Sequence, residues 1–243
     1  MGRFISGASS GGGAAEIVAL DTFTSSGTWT KPAETLPTDI IVVDMWDGGG
    51  SGAVGTTAAR SGGAGGNFNR FEFSASKLSA TEPVVIGVGG AAVVGTTIGG
   101  NQGGLSSFSG IGSRTAPGTA AGTAPTAGSC ATDDLNARGG LCTLTISTTA
   151  MQLSIRAGGQ GGNSNTTGLV ALAGAKSIVG GDGGAAAAGA SAVATAGKAP
   201  GGGGGSASGT GTLTSGAGAR GEVRVYVIRG VFTVGDAALP TSI

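Results

Sequence analysis

The sequence predicts an all-β fold: an antiparallel β-sandwich, jelly-roll-like, with long glycine-rich loops. Three observations carry this expectation. Short runs rich in β-branched residues alternate with period two, the pattern of half-buried strands. No segment offers a period-3.6 apolar stripe bounded by helix caps. Finally, 54 of the 243 residues are glycine, about three times the usual share of roughly 7%, and they cluster between the alternating runs.

The runs can be read in order. "DIIVVDMWD" (39–47) puts Ile41, Val43 and Met45 on one face and Ile40, Val42, Asp44 and Trp46 on the other. "NFNRFEFSA" (67–75) turns Phe71 and Phe73 inward and Arg70 and Glu72 outward. "EPVVIGVGG" (82–90), "LCTLTIS" (141–147) and "MQLSIRAGG" (151–159) behave alike, and "GEVRVYVIRG" (221–230) sets Val223, Val225 and Val227 against Arg224, Tyr226 and Ile228. In "FTSSGTWTKP" (23–32), Phe23 and Trp29 supply bulk to a core that is short of aromatics, and Pro32 ends the strand because it has no N–H for the ladder. Trp46 stands beside Asp47 at the root of a glycine cluster and is either a second core anchor or a ligand platform.

Nearly every strand ends in glycine, as in "MWDGGGSG", "IGVGGAA" and "IRAGGQGGN", and the longest cluster is Gly201–Gly205. Glycine costs roughly 0.5–1 kcal/mol relative to alanine inside a regular element. Yet only 11% of residues are charged, the net charge is zero and the mean hydropathy is +0.26, which is not a disordered composition. The glycines therefore belong to the fold, and two packings are open. One is long solvated loops at the end of a sandwich. The other is a side-by-side bundle of polyproline-II-like segments, which have three residues per turn and no internal hydrogen bonds. Such segments can bond to one another only where no side chain intervenes. The absence of a strict G-x-y register excludes collagen.

Chemistry is sparse. There is no histidine, which removes histidine-dependent nucleophilic catalysis and histidine-ligated metals. Lys198 in "GKAP" fails the phosphate-loop pattern, since Ala192 stands where glycine is required and Ala199 where serine or threonine is required. Asp133–Asp134 is the one adjacent acidic pair, open to Ca²⁺ or to solvating a turn. "GGDGG" (180–184) lacks the nonapeptide repeat of a calcium β-helix. No catalytic residue, no cofactor and no enzymatic activity are expected. Neutral charge argues against nucleic acid, and no apolar run reaches the length of a membrane span. The opening "MGRFISGASSGGGAAE" has no apolar stretch of signal-peptide length.

Taken in order, "FTSSGTWTKP", "VVDMWDGGGSG" (42–52), "GGAGGNFNRFEF" (62–73), "PVVIGVGGAA" (83–92), "GGNQGGLSSFSG" (99–110) and "GARGEVRVYVI" (218–228) resemble a glycine-rich domain of tail-fibre and virion structural proteins of tailed bacteriophages. The resemblance runs from about residue 21 to 229 and rests chiefly on the F-T-x-x-G-x-W-T-K-P opening. A longer insert at about 111–140 departs from it. The domains expected are an N-terminal attachment arm (1–20), the glycine-rich β-sandwich (21–229) and a C-terminal tail (230–243). The resemblance implies a virion protein assembled in the host cytoplasm, a homo-oligomer on the particle that joins other virion proteins through the arm. It also implies a host cell-surface receptor as a further partner. The alternative is a receptor-binding adhesin whose glycine-rich loop tips, with the cluster at 201–205, bind a host glycan or outer-membrane protein. An ice-binding polyglycine fold would show a regular glycine every third residue, and this chain does not. Cys130 and Cys142 are either a loop-closing disulfide, worth about 3 kcal/mol on the chain-entropy model, or free thiols in a reducing cytosol.

Overall fold

The computed structural model describes residues 3–5, 15–57, 60–112, 150–156, 170–177 and 179–230. The strand expected at 141–147, Cys130, Cys142, Asp133 and Asp134 lie outside the described residues, as does the tail from 231. In chain order the strands are β1 (Arg3–Ile5), β2 (Glu16–Phe23), β3 (Gly27–Thr30), β4 (Ile40–Trp46), β5 (Val54–Gly55), β6 (Phe68–Ser74), β7 (Thr81–Val85) and β8 (Val94–Gly95). They continue with β9 (Thr97–Ile98), β10 (Ser107–Phe108), β11 (Ile111–Gly112), β12 (Ala150–Arg156), β13 (Ala187–Ala188), β14 (Ala207–Ser208), β15 (Leu213–Thr214) and β16 (Glu222–Arg229). A single 3₁₀ turn, Ala75–Lys77, is the helical element among the described residues.

The chain is all-β, as its alternation demands. One sheet has the order β1-β2-β16-β4-β6-β12 and a second has β11-β10-β7-β3, with antiparallel neighbours in both. They share one core, in which Ile41, Val43, Met45, Phe71, Phe73, Val223, Val225 and Val227 from the larger sheet meet Trp29, Val84 and Phe108 from the smaller. Trp29 sits edge-on to Phe108 at 5.6 Å between ring centroids, and Phe108 meets Phe73 at 5.5 Å. The buried indole N–H of Trp29 donates to Asp21 Oδ2 at 3.0 Å, so the one polar atom of the largest core side chain is satisfied. Strand β3 ends at Thr30, ahead of Pro32 as expected. Strand β2 begins at Glu16, five residues inside the segment read as an arm, because "EIVAL" continues the alternation of "DTF". A register shift opposite Val227–Ile228 leaves Val18 as the extra residue, and Val18 and Ala19 are consequently both buried.

The glycine clusters form an ordered bundle. Segment 201–206 is its axis, and its six backbone N–H groups donate to four other chain segments. Gly202 and Gly205 donate to Lys198 and Thr195, Gly203 and Ser206 to Ala175 and Leu172, and Gly201 and Gly204 to Arg220 and Gly50. Its carbonyls accept in the same rhythm, from Gly66 and Gly63, from Ala219 and Gly216, and from Gly184 and Ala187. The axis thus has six neighbours, the segments 47–53, 61–67, 172–177, 181–186, 192–198 and 215–221. Apart from the N–H groups of Gly201 and Gly204, the bonding returns every third residue to the same neighbour, which identifies threefold polyglycine-II geometry. Segment 47–53 repeats it: Asp47, Gly50 and Ala53 donate to Asn67, Ala64 and Ser61, while Gly49 and Gly52 donate to Ala219 and Gly216.

This geometry dictates the glycines. A Cβ on Gly203 would stand 2.1 Å from Gly63 O, one on Gly204 2.0 Å from Gly216 O, and one on Gly205 2.0 Å from Ala185 O. These are backbone atoms of packed segments and cannot swing aside. Segments on the outside need bare backbone only on their inner columns. Their outer column carries side chains at every third position, as in exposed Val85, Val88 and Ala91, or Val170, Ala173 and Lys176, or Asp182, Ala185 and Ala188. A uniform G-x-y register is absent because the number of neighbours differs from segment to segment. Gly203→Ala should therefore lower stability by about 3 kcal/mol, the upper range for overpacking. Gly27→Ala, where nothing lies within 4 Å of the added methyl, should change it by less than about 0.5 kcal/mol. Thermal unfolding of the two variants checks both.

Candidate functional site

The bundle has an inner end on the sheets and an outer end where the segments turn back. Strands β4 and β7 run straight into outgoing segments 47–53 and 86–91. The returning segments 61–67, 101–106 and 215–221 run into β6, β10 and β16. At the outer end the outgoing segments lie side by side in one direction, so β13, β14 and β5 pair in parallel. Antiparallel pairing of β9 with β5 and of β15 with β8 closes the turns. A small second core of Val54, Val93, Ala194, Ala207 and Leu213 seals this end. Tight reversals use Gly211 at φ 77° and Ser191 at φ 51°.

Among the described residues the surface so built is uncharged and aliphatic. Val193 is 66% exposed, Val94 57% and Ile98 41%, and around them stand the exposed hydroxyls of Thr57, Thr96, Thr97, Ser191, Thr210 and Thr212. The described turns 54–57, 92–100, 187–193 and 207–214 contain no aromatic residue, carboxylate or amide side chain. The only charged side chain described near them is the buried Arg60. Exposed apolar groups gathered on one face mark a contact surface more often than isolated ones do.

The structure relocates the sequence candidates. The cluster 201–205 is buried on the bundle axis, because its hydrogen bonding requires six neighbours. The outward-facing turns are built of threonine, valine, serine and alanine more than of glycine. Trp29 is a core residue. Trp46 is 3% exposed, tilted against Phe68 at 4.9 Å and covered by the Arg224 guanidinium 4.8 Å above its ring, which leaves no free platform. On the same sheet face Arg70 clamps Asp44 through two hydrogen bonds of 2.5 and 2.6 Å. That bond to Asp44 holds the Arg70 pKa above its ordinary value, against the opposing effect of burial. Lys198 is exposed in a turn, 4.0 Å from Asp182, which also pairs with Lys176 at 3.1 Å. Among the described residues no group of three or more acidic or cysteine side chains could hold a metal.

What sequence reasoning missed is the set of serines within the glycine runs. Ser106 is fully buried. Its hydroxyl donates to Trp46 O at 2.7 Å and accepts from the Gly87 N–H at 2.9 Å, while its own N–H donates to Asp47 Oδ1 at 2.9 Å. Ser177 donates to Gly66 O at 2.9 Å and Ser215 accepts from the Val93 N–H at 3.0 Å. Serine replaces glycine where its hydroxyl substitutes for a missing backbone partner. Ser51 in "GGGSG" and Ser206 in "GGGGGSAS" carried that signal, their hydroxyls accepting from the Asn101 N–H at 2.8 Å and the Leu172 N–H at 2.7 Å.

A bundle of bare segments standing on antiparallel sheets defines a glycine-rich structural domain. The family model described as glycine-rich domain matches residues 21–227, and the chain belongs to that family. No curated protein matches it.

Ser106→Ala leaves the buried Gly87 N–H without an acceptor and should cost about 1–3 kcal/mol. Chemical denaturation would show it as a lower midpoint at an unchanged slope, and faster amide exchange at Gly87 would locate the loss.

Proposed function

We propose that this chain is a structural component of a tailed-bacteriophage particle whose outer bundle end meets the host surface. The observation that carries the reading is the pairing of a rigid, backbone-bonded bundle with exposed Val94, Ile98 and Val193 at its far end. The phage assignment is supported by the motif resemblance described above, with its F-T-x-x-G-x-W-T-K-P opening at residues 23–32. On this reading the sheet end faces other virion proteins, with the N-terminal residues joining them, and several copies act together on the particle.

A second reading, an adhesin for which host binding is the whole task, is favoured by the composition of that end. Its uncharged aliphatic and hydroxyl surface suits a protein partner. A glycan would call for the aromatic platforms and amide or carboxylate groups that the described turns do not offer. No helix among the described residues is long and apolar enough to cross a membrane.

Purified labelled protein should bind intact host cells saturably, and the pair Val94→Asp and Val193→Asp should weaken that binding at least about tenfold, the effect of losing about 1.4 kcal/mol, with unfolding unchanged. Retention on virions without cell binding would leave the structural role alone. Neither retention nor binding would sink the proposal.

A further inference from the structure

Arg60 begins the returning segment 60–67 beside the outer end and is 4% exposed. Its backbone is fully engaged: the N–H donates to Val170 O at 3.0 Å and the carbonyl accepts from Ser206 Oγ at 2.8 Å. Its guanidinium is not. Nε and Nη1, which hold three of the five N–H donors of an arginine, are buried and have no hydrogen-bond partner. The side chain lies flat against Gly55, with Nε 1.8 Å from where a Cβ on that residue would stand. The slot exists only because position 55 is glycine.

Nearby acceptors are already in use. Val170 O also takes the hydroxyl of Ser208 at 3.0 Å, Leu172 O takes the Ser206 N–H, Ala53 O takes Ala207 and Gly55 O takes Gly209. The described carboxylates sit in the sheets and in segments and turns at the inner end, away from this slot. A buried guanidinium without counter-charge costs several kcal/mol, and arginine is the side chain best shaped to hold carboxylate or phosphate.

We infer that the Arg60 slot is an oxyanion-binding site that takes a phosphate or carboxylate group. No hydrogen bond restrains the guanidinium, so it can turn toward the adjoining exposed residues Thr57 and Val170 to meet the incoming group. The site is independent of the proposed function, since purified protein and small anions test it without cells or particles.

The test compares thermal unfolding in sodium chloride, phosphate and acetate at matched ionic strength, for the native chain and for Arg60→Met. At a hundredfold excess over the dissociation constant, phosphate, acetate or both should raise the native midpoint by at least about 5 °C. Phosphate also stabilises proteins through exclusion from their surface, so the variant sets the baseline and should lack the extra rise. The anion that gives the rise identifies the group. Equal shifts in both proteins would overturn the inference. Should Arg60→Met fail to fold, the arginine side-chain N–H resonances of the native protein decide: movement of the Arg60 signal with phosphate or acetate but not chloride supports the site, and no movement overturns it.

Discussion

A carbonyl oxygen of one segment occupies the place where the next segment would carry its Cβ. At Gly52, Gly203, Gly204 and Gly205 that distance is between 2.0 and 2.1 Å. The rest of the structure depends on this contact. It lets backbones approach until N–H and C=O pair in three directions rather than two, and it makes glycine obligatory at the positions where a Cβ would meet a neighbouring carbonyl. The entropic cost of glycine is offset by burying a backbone that hydrogen-bonds from segment to segment, in place of the apolar side chains that ordinarily fill an interior.

Sheets and bundle are continuous because extended strands and polyproline-II backbone occupy neighbouring regions of φ/ψ space. Strand β4 passes into 47–53 without a turn, and only the hydrogen-bond symmetry changes, from period two to period three. The seam is marked by polar residues that serve both patterns. Asp47 accepts from the Ser106 N–H, and Ser106 Oγ links Trp46 O of the sheet to Gly87 N–H of the bundle. The sheets also set which segments run outward and which return, so the strand order arranges the bundle. In turn the bundle covers the open end of the core formed by Met45, Val223 and Phe108.

Much of the sheet was legible because side-chain period two is local: Ile41, Val43 and Met45 face the core as their spacing demands, and so do Phe71 and Phe73. The bundle was legible only as an alternative, since bare glycine reads the same in a loop and in an enclosed segment. What separates them is the number of neighbours, a property of the whole arrangement. The exposed column Val85, Val88 and Ala91 is a local trace of it, a period of three that appears only on outer segments. For the same reason the run at 201–205 is open to both readings in the sequence, and in the structure it is the axis. The exposed aliphatic residues of the outer end were hidden in short turns such as "VGTTI" (94–98), whose residues are unremarkable singly. Arg60 was invisible because its interest lies in burial without a partner.

Placing stability in backbone pairing separates two demands that most folds combine. The axis tolerates almost no side chain, whereas the outer turns add a compact cap of Val54, Val93, Ala194, Ala207 and Leu213 and little else that the bundle requires. Residues beyond that cap, such as Val94, Thr97, Ile98 and Val193, project from segments already fixed by their inner columns. Their chemistry can change without disturbing the three-way hydrogen bonding beneath them. A contact surface on such a scaffold also loses little conformational entropy on meeting a partner, because the turns are pinned at both ends before contact. A bundle of this kind holds its outer end rigid while leaving the residues there free to be matched to whatever the end must touch.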